Sequence, residues 1–166
     1  MKDSFAIKNL KEFVIDSNIQ SSYRIFNKIK NKQIDSAISY GTHYLYSWQQ
    51  RDSAFIEFTT IIDDGEHGLR IVYFVFDKKD SMLSTTQVAN KGGEGGIIYE
   101  TLSQFKSKDT LFHIRSASTW LNLTNPTPWP KNSHSKGDST FHYIIFQEDG
   151  RTFEKKFAEK KELNLD

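Results

Sequence analysis

The sequence predicts an α+β fold: two N-terminal helices on one face of a mostly antiparallel sheet of five to seven strands, with a further helix after a glycine-rich loop. Three observations carry this expectation. Residues 52–80 read AFIEFTTIID, a short Gly-containing connection and LRIVYFVFD, the composition of a β-hairpin near the middle of a sheet. The first arm alternates, with Ile56, Phe58, Thr60 and Ile62 on one face and Phe55, Glu57, Thr59 and Ile61 on the other, so one side is apolar and the other mixed. The second arm (Leu69 to Phe76) is apolar on both faces, which asks for a covering layer on its second side.

Composition sets bounds. Apolar residues make up 37% of the 166, below the usual share of about 45–50%, which suits one half-covered sheet better than a buried parallel one. Aromatic residues reach 14%, Phe alone supplying 13, so much of the core is aromatic and disorder is excluded for the bulk of the chain. The length suits a single domain over 1–166. A net charge of +1 provides no overall drive toward nucleic acid or an anionic membrane. The absence of cysteine removes disulfides, thiolate catalysis and Cys-zinc sites. The N-terminal residues MKDSFAIKNLKEF lack an apolar leader core, and no run approaches the ~18 apolar residues of a membrane span. A soluble, cytoplasmic chain is expected.

Taken in order, residues 4–15 place Ile7, Leu10 and Phe13 or Val14 on one helical face, and Asp16-Ser17-Asn18 supplies capping residues. A second helix over about 18–33 sets Ile19, Tyr23, Phe26 and Ile29 in a stripe, with Lys28, Lys30 and Lys32 on the solvated face. Residues 37–48 read as a strand with Tyr40, Tyr44, Tyr46 and Trp48 on one side; a helix there would carry Gly41 mid-span at a cost of about 1 kcal/mol. The hairpin turn, Asp63 to Gly68, gathers carboxylates and His67 but lacks the ligand spacing of a calcium loop. Ser81–Val88 is a strand. Lys91-Gly92-Gly93-Glu94-Gly95-Gly96 then leads into Ile97, Ile98, Leu102 and Phe105 at helical spacing. It matches no phosphate-binding fingerprint, and Glu94 would repel an anion.

Residues 109–123 form a strand with His113, Arg115 and Thr119 on one side, and Phe112, Ile114 and Trp120 on the other. All three prolines crowd into 126–130, opening a loop over 124–138 in which Trp129 is braced by prolines. The last hairpin runs from Phe141–Phe146 through the Asp149-Gly150 turn to Thr152–Phe157, and the charged tail beyond reads as helical or frayed.

Two functional readings follow. The first is a small interaction or ligand-binding domain of the immunity, inhibitor or accessory kind. Trp129, Trp120, Tyr44 and Tyr46 would line a groove beside the 124–138 loop and take a protein partner or small ligand. The second is a metal-independent phosphodiester- or nucleotide-acting enzyme. If the 110–120 and 139–147 strands pair, His113, Arg115 and His142 share a face and supply a base, an acid and a cation for a charged transition state. Neither reading asks for a cofactor or metal. A metal set of His134, Asp138 and His142, and a nuclease set of Glu57 with Asp77-Lys78-Lys79, are further sketches drawn from spacing alone.

Overall fold

The computed structural model describes residues 4–5, 42–49, 51–63, 68–79, 81–94, 97–121 and 134–161. Among them there is no helix: nine strands form one antiparallel sheet. They are β1 (Ser4–Phe5), β2 (Thr42–Gln49), β3 (Ile56–Asp63), β4 (Leu69–Phe76), β5 (Met82–Glu94), β6 (Ile97–Ser107), β7 (Thr110–Leu121), β8 (His134–Phe146) and β9 (Thr152–Lys161). The order is sequential from β2 to β9, with β1 joined to β6.

The α+β expectation is therefore corrected to all-β for the described residues. Of the two expected N-terminal helices only Ser4 and Phe5 are described, and they are a strand paired with Gln104 and Ser103; the rest of that stretch lies outside the described residues. The helix expected after the glycines is instead β6, which forms a hairpin with β5: Gly92 pairs with Tyr99 and Gly93 with Ile98. A Cβ on Gly93 would stand 2.9 Å from the Ile97 carbonyl oxygen, so the glycine serves close strand approach. The apparent helical spacing of Ile97, Ile98, Leu102 and Phe105 arises because this strand is half-buried on both faces. Nine strands also exceed the expected five to seven. The 124–138 loop is shorter than expected, since His134 already pairs with Leu121 in the β7–β8 ladder. The charged tail continues β9 as strand to Lys161.

One face of the hairpin is covered by the sheet itself. The first part of β5 pairs with β4 (Met82 to Lys91), and its last residues, Asn90 to Glu94, pair with β6. One long strand thus belongs to two half-sheets, and bulges at Ile71/Val72 and Val75/Phe76 sharpen the bend. The inner faces meet in a core of Phe5, Ile61, Ile71, Tyr73, Val75, Val88, Leu111, Ile144 and Phe146. The mixed face of β3 is consequently interior: Glu57 and Thr59 are buried, not wetted. On the opposite face of the hairpin, Leu45, Phe58, Ile62, Val72, Phe74 and Phe76 form a second cluster, with Phe58 stacked on Phe74 and Phe76 at 5.3 and 5.7 Å. Each of these large side chains contributes about 1.5–3 kcal/mol on burial, so β3 and β4 hold much of the stability.

The far ends are tied by polar contacts. Ser84 Oγ donates to the Gly150 carbonyl at 2.8 Å, and the Thr86 and Thr152 hydroxyls lie 3.2 Å apart, so the start of β9 rests against the first half of β5. Gly150 adopts φ +81° in the β8–β9 turn, where a Cβ would collide with Leu83 and Phe55. No helix among the described residues is long and apolar enough to cross a membrane.

Candidate ligand site on the concave face

Register brings the site together. On β7, Leu111, His113 and Arg115 face inward; opposite them on β8 stand Ile144, His142 and Thr140, and Ile144 in turn faces Glu154 on β9. On the other side of β7, Ser103 of β6 is the partner of His113.

The bonds around His113 have a defined direction. The Ser103 hydroxyl donates to the Val88 carbonyl at 2.5 Å, which spends its only proton. The 2.8 Å contact between Ser103 Oγ and His113 Nδ1 is then donated by the imidazole, so Nδ1 carries the hydrogen. His113 Nε2, left with its lone pair, accepts from Arg115 Nε at 3.0 Å. His113 is fully buried. Burial, reinforced by the positive charge of Arg115 and by His142, lowers its pKa from 6.5 to about 3, so the ring is neutral at physiological pH. It acts as a fixed acceptor that aims a guanidinium.

Arg115 is the half-exposed end of this relay. Its Nη2 donates to Glu154 Oε2 at 2.9 Å. The other Glu154 oxygen is 2.7 Å from His142 Nδ1, out of line for a good hydrogen bond, while His142 Nε2 lies 2.9 Å from the Thr140 hydroxyl. Burial lowers the His142 pKa, and Arg115 and Lys156 add to it against the opposing pull of Glu154. The two imidazoles meet edge to face with centroids 6.0 Å apart.

Arg115 and Glu154 open onto a cavity of about 330 Å³ whose remaining walls are Thr85, Thr86, Gln87, Ile144 and Thr152. Three hydroxyls, one amide and one ion pair make it a hydrogen-bonding space with little apolar wall. It lies where β5, β8 and β9 converge, the concave side of the sheet.

A second polar cluster sits deeper. Arg51 donates from Nε and Nη2 to Glu57 Oε1 at 3.0 and 2.7 Å, and from Nη1 to Asp109 Oδ1 at 2.6 Å. Its guanidinium carbon lies 4.7 Å from the Phe146 ring centroid. Burial alone would lower the Arg51 pKa, but Glu57 and Asp109 more than reverse it and hold the charge. Tyr73, buried close by, is kept protonated by burial and by the Glu57 carboxylate. This group ties the chain after β2 to the β6–β7 turn, an architectural link.

Of the residues expected from the sequence, His113, Arg115 and His142 do converge on one face. Only Arg115 of the three lines the cavity. Tyr46 is half-buried against the inner core. Tyr44 on β2 pairs with Ile61, and Trp120 on β7 pairs with Ser135; their strands are not neighbours in the sheet. Trp129 lies outside the described residues. Glu57 is committed to Arg51, and the Asp77 carboxylate accepts the backbone N–H groups of Lys79 and Ser81, which makes it a turn residue. The sequence reading missed Ser103, Glu154 and the Thr85–Gln87 wall. Period two in TFEKKF places Glu154 opposite an inward Ile144, a signal usable only once register is known.

No protein-family model, curated protein or solved structure compared with this chain matches it.

Proposed function

We propose that this protein is a ligand-binding domain whose concave face takes a small, singly charged anion carrying hydroxyl groups, such as a hydroxy-carboxylate. The single observation behind the reading is a half-exposed guanidinium, Arg115, held by a buried neutral histidine at the wall of a polar cavity. A fixed planar cation binds a carboxylate without first losing side-chain freedom. Thr85, Thr86, Thr152 and Gln87 supply donors and acceptors for hydroxyls. Glu154, already shared with Arg115, accepts hydroxyl protons and repels a second negative charge, which favours a monoanion.

The enzymatic alternative, phosphodiester or nucleotide chemistry by His113, Arg115 and His142, has less support. A general base needs a free lone pair within reach of substrate, and both His113 nitrogens are engaged in a residue with no solvent exposure.

The test follows the Arg115 Nε–H signal by ¹H–¹⁵N NMR while D-gluconate or inorganic phosphate is titrated in. The hydrogen bond to His113 slows exchange of that proton and makes it a local reporter. Saturable shifts of this signal and of the Thr85–Gln87 amides with gluconate, lost in Arg115→Gln, are expected. No perturbation by either probe at about 10 mM, a concentration that detects even millimolar binding, would remove the proposal.

A further inference from the structure

The convex face of β6–β9, opposite the cavity, is built differently. Phe112 on β7, Phe141 and Tyr143 on β8, and Phe153 and Phe157 on β9 point outward. Tyr143 and Phe157 stack at 4.5 Å, and Phe112 lies 6.0–6.3 Å from Phe141, Tyr143 and Phe157. Phe157, in the middle of β9, and Phe153, near its start, are 46% and 53% exposed, where solvent-facing rings are uncommon on an edge strand.

Charge is sorted between the two sides of β9. Glu154 and Glu159 are committed to Arg115, Lys156 and Lys161. Lys155 stands outward opposite Tyr143, Lys160 outward opposite Ser139, and the Lys106 ammonium lies 5.3 Å over the Phe112 ring. Among the described residues of these four strands, the one outward carboxylate in register is Glu100, opposite Ser116 and beyond the rings. Among the described residues of β6–β9, this face therefore gathers cations and rings, and the strand carboxylates other than Glu100 face the other way.

We infer that this convex face binds single-stranded nucleic acid, its rings stacking bases and Lys106 and Lys155 meeting phosphates. Rings on adjacent strands of a sheet, about 4.8 Å apart per strand, suit two or three splayed bases, which duplex cannot offer. An anionic bilayer fits less well, because the β8–β9 turn beside Phe153 carries exposed Glu148 and Asp149. A second copy of the face would set lysines against lysines.

The experiment measures fluorescence anisotropy of a labelled oligouridylate of about ten nucleotides at about 50 mM salt, with a duplex of equal length in parallel. Expected are preference for the single strand, a loss of about tenfold in Phe157→Ala, and weaker binding with a shallower salt slope in Lys155→Glu. Both residues are exposed, and thermal melting of each variant checks that the fold is kept. Three results would overturn the inference: no binding of the single strand at about 100 µM protein, equal affinity for duplex, or unchanged affinity in a folded Phe157→Ala. Phe157-dependent pelleting with phosphatidylserine vesicles and no oligonucleotide binding would assign the face to membranes instead.

Discussion

Arg51→Met removes the cation from the most enclosed ion-pair cluster among the described residues while keeping an unbranched apolar stem. Three hydrogen bonds disappear, two to Glu57 and one to Asp109. The two carboxylates respond differently. The Asp109 side chain is half-exposed and returns to water, whereas the Glu57 side chain is fully enclosed and its Oε2 makes no well-formed hydrogen bond among the described residues. Uncompensated burial of one carboxylate is worth about 3–5 kcal/mol, against about 1 kcal/mol or less for the exposed partner. For a chain of this length that corresponds to a fall of roughly 6–20 °C in Tm. Urea titrations of wild type, Arg51→Met, Glu57→Leu and the double variant complete the cycle. The double variant should be more stable than Arg51→Met, because removing both charges removes the desolvated orphan. A loss under about 1 kcal/mol in Arg51→Met, or single costs that simply add, would show that Glu57 is solvated in the folded chain and that the inner face is not closed.

The His113 ring makes stability depend on acid. Its pKa falls from 6.5 to about 3 on folding, so between those values the unfolded chain binds the extra proton; the contribution is complete above about pH 6.5 and is lost as pH falls toward 3. Unfolding free energies from urea titrations between pH 4 and 6 should fall by up to about 1.4 kcal/mol per pH unit from this residue as pH is lowered, and His113→Gln, which preserves the donor and acceptor, should flatten that slope; an unchanged slope refutes it. Gly68→Ala is expected to cost about 1–3 kcal/mol by thermal denaturation, because φ is +112° and the new Cβ would meet the Lys91 carbonyl oxygen at 2.3 Å; a variant as stable as wild type would contradict the turn geometry.

How much of this was legible in the sequence depends on whether a feature is local. The β3–β4 hairpin is written in β-branched and aromatic runs, and the β8–β9 turn in Asp149-Gly150, whose glycine does take a positive φ. Strict alternation also placed His113 and Arg115 on one face, and pairing of β7 with β8 brought His142 opposite His113. The fold class was not legible, because a strand buried on both sides loses period two. Ile97, Ile98, Leu102 and Phe105 then imitate a helix. The cover for the hairpin was sought in helices, when on one face a strand of 13 residues pairs first with β4 and then with β6 and the sheet covers itself. Ser103 and Glu154 joined the site through register across three strand pairs, information that no window of sequence contains.

A neutral imidazole fixes Arg115 at the cavity wall. Long-range ¹H–¹⁵N correlation of the His113 ring between pH 5 and 8 reads this state directly. The expected spectrum has a protonated Nδ1, a bare Nε2 and no titration across that range. A ring protonated on Nε2, or one that titrates with a midpoint near the ordinary 6.5, would mean that the relay from Val88 to Arg115 is not formed.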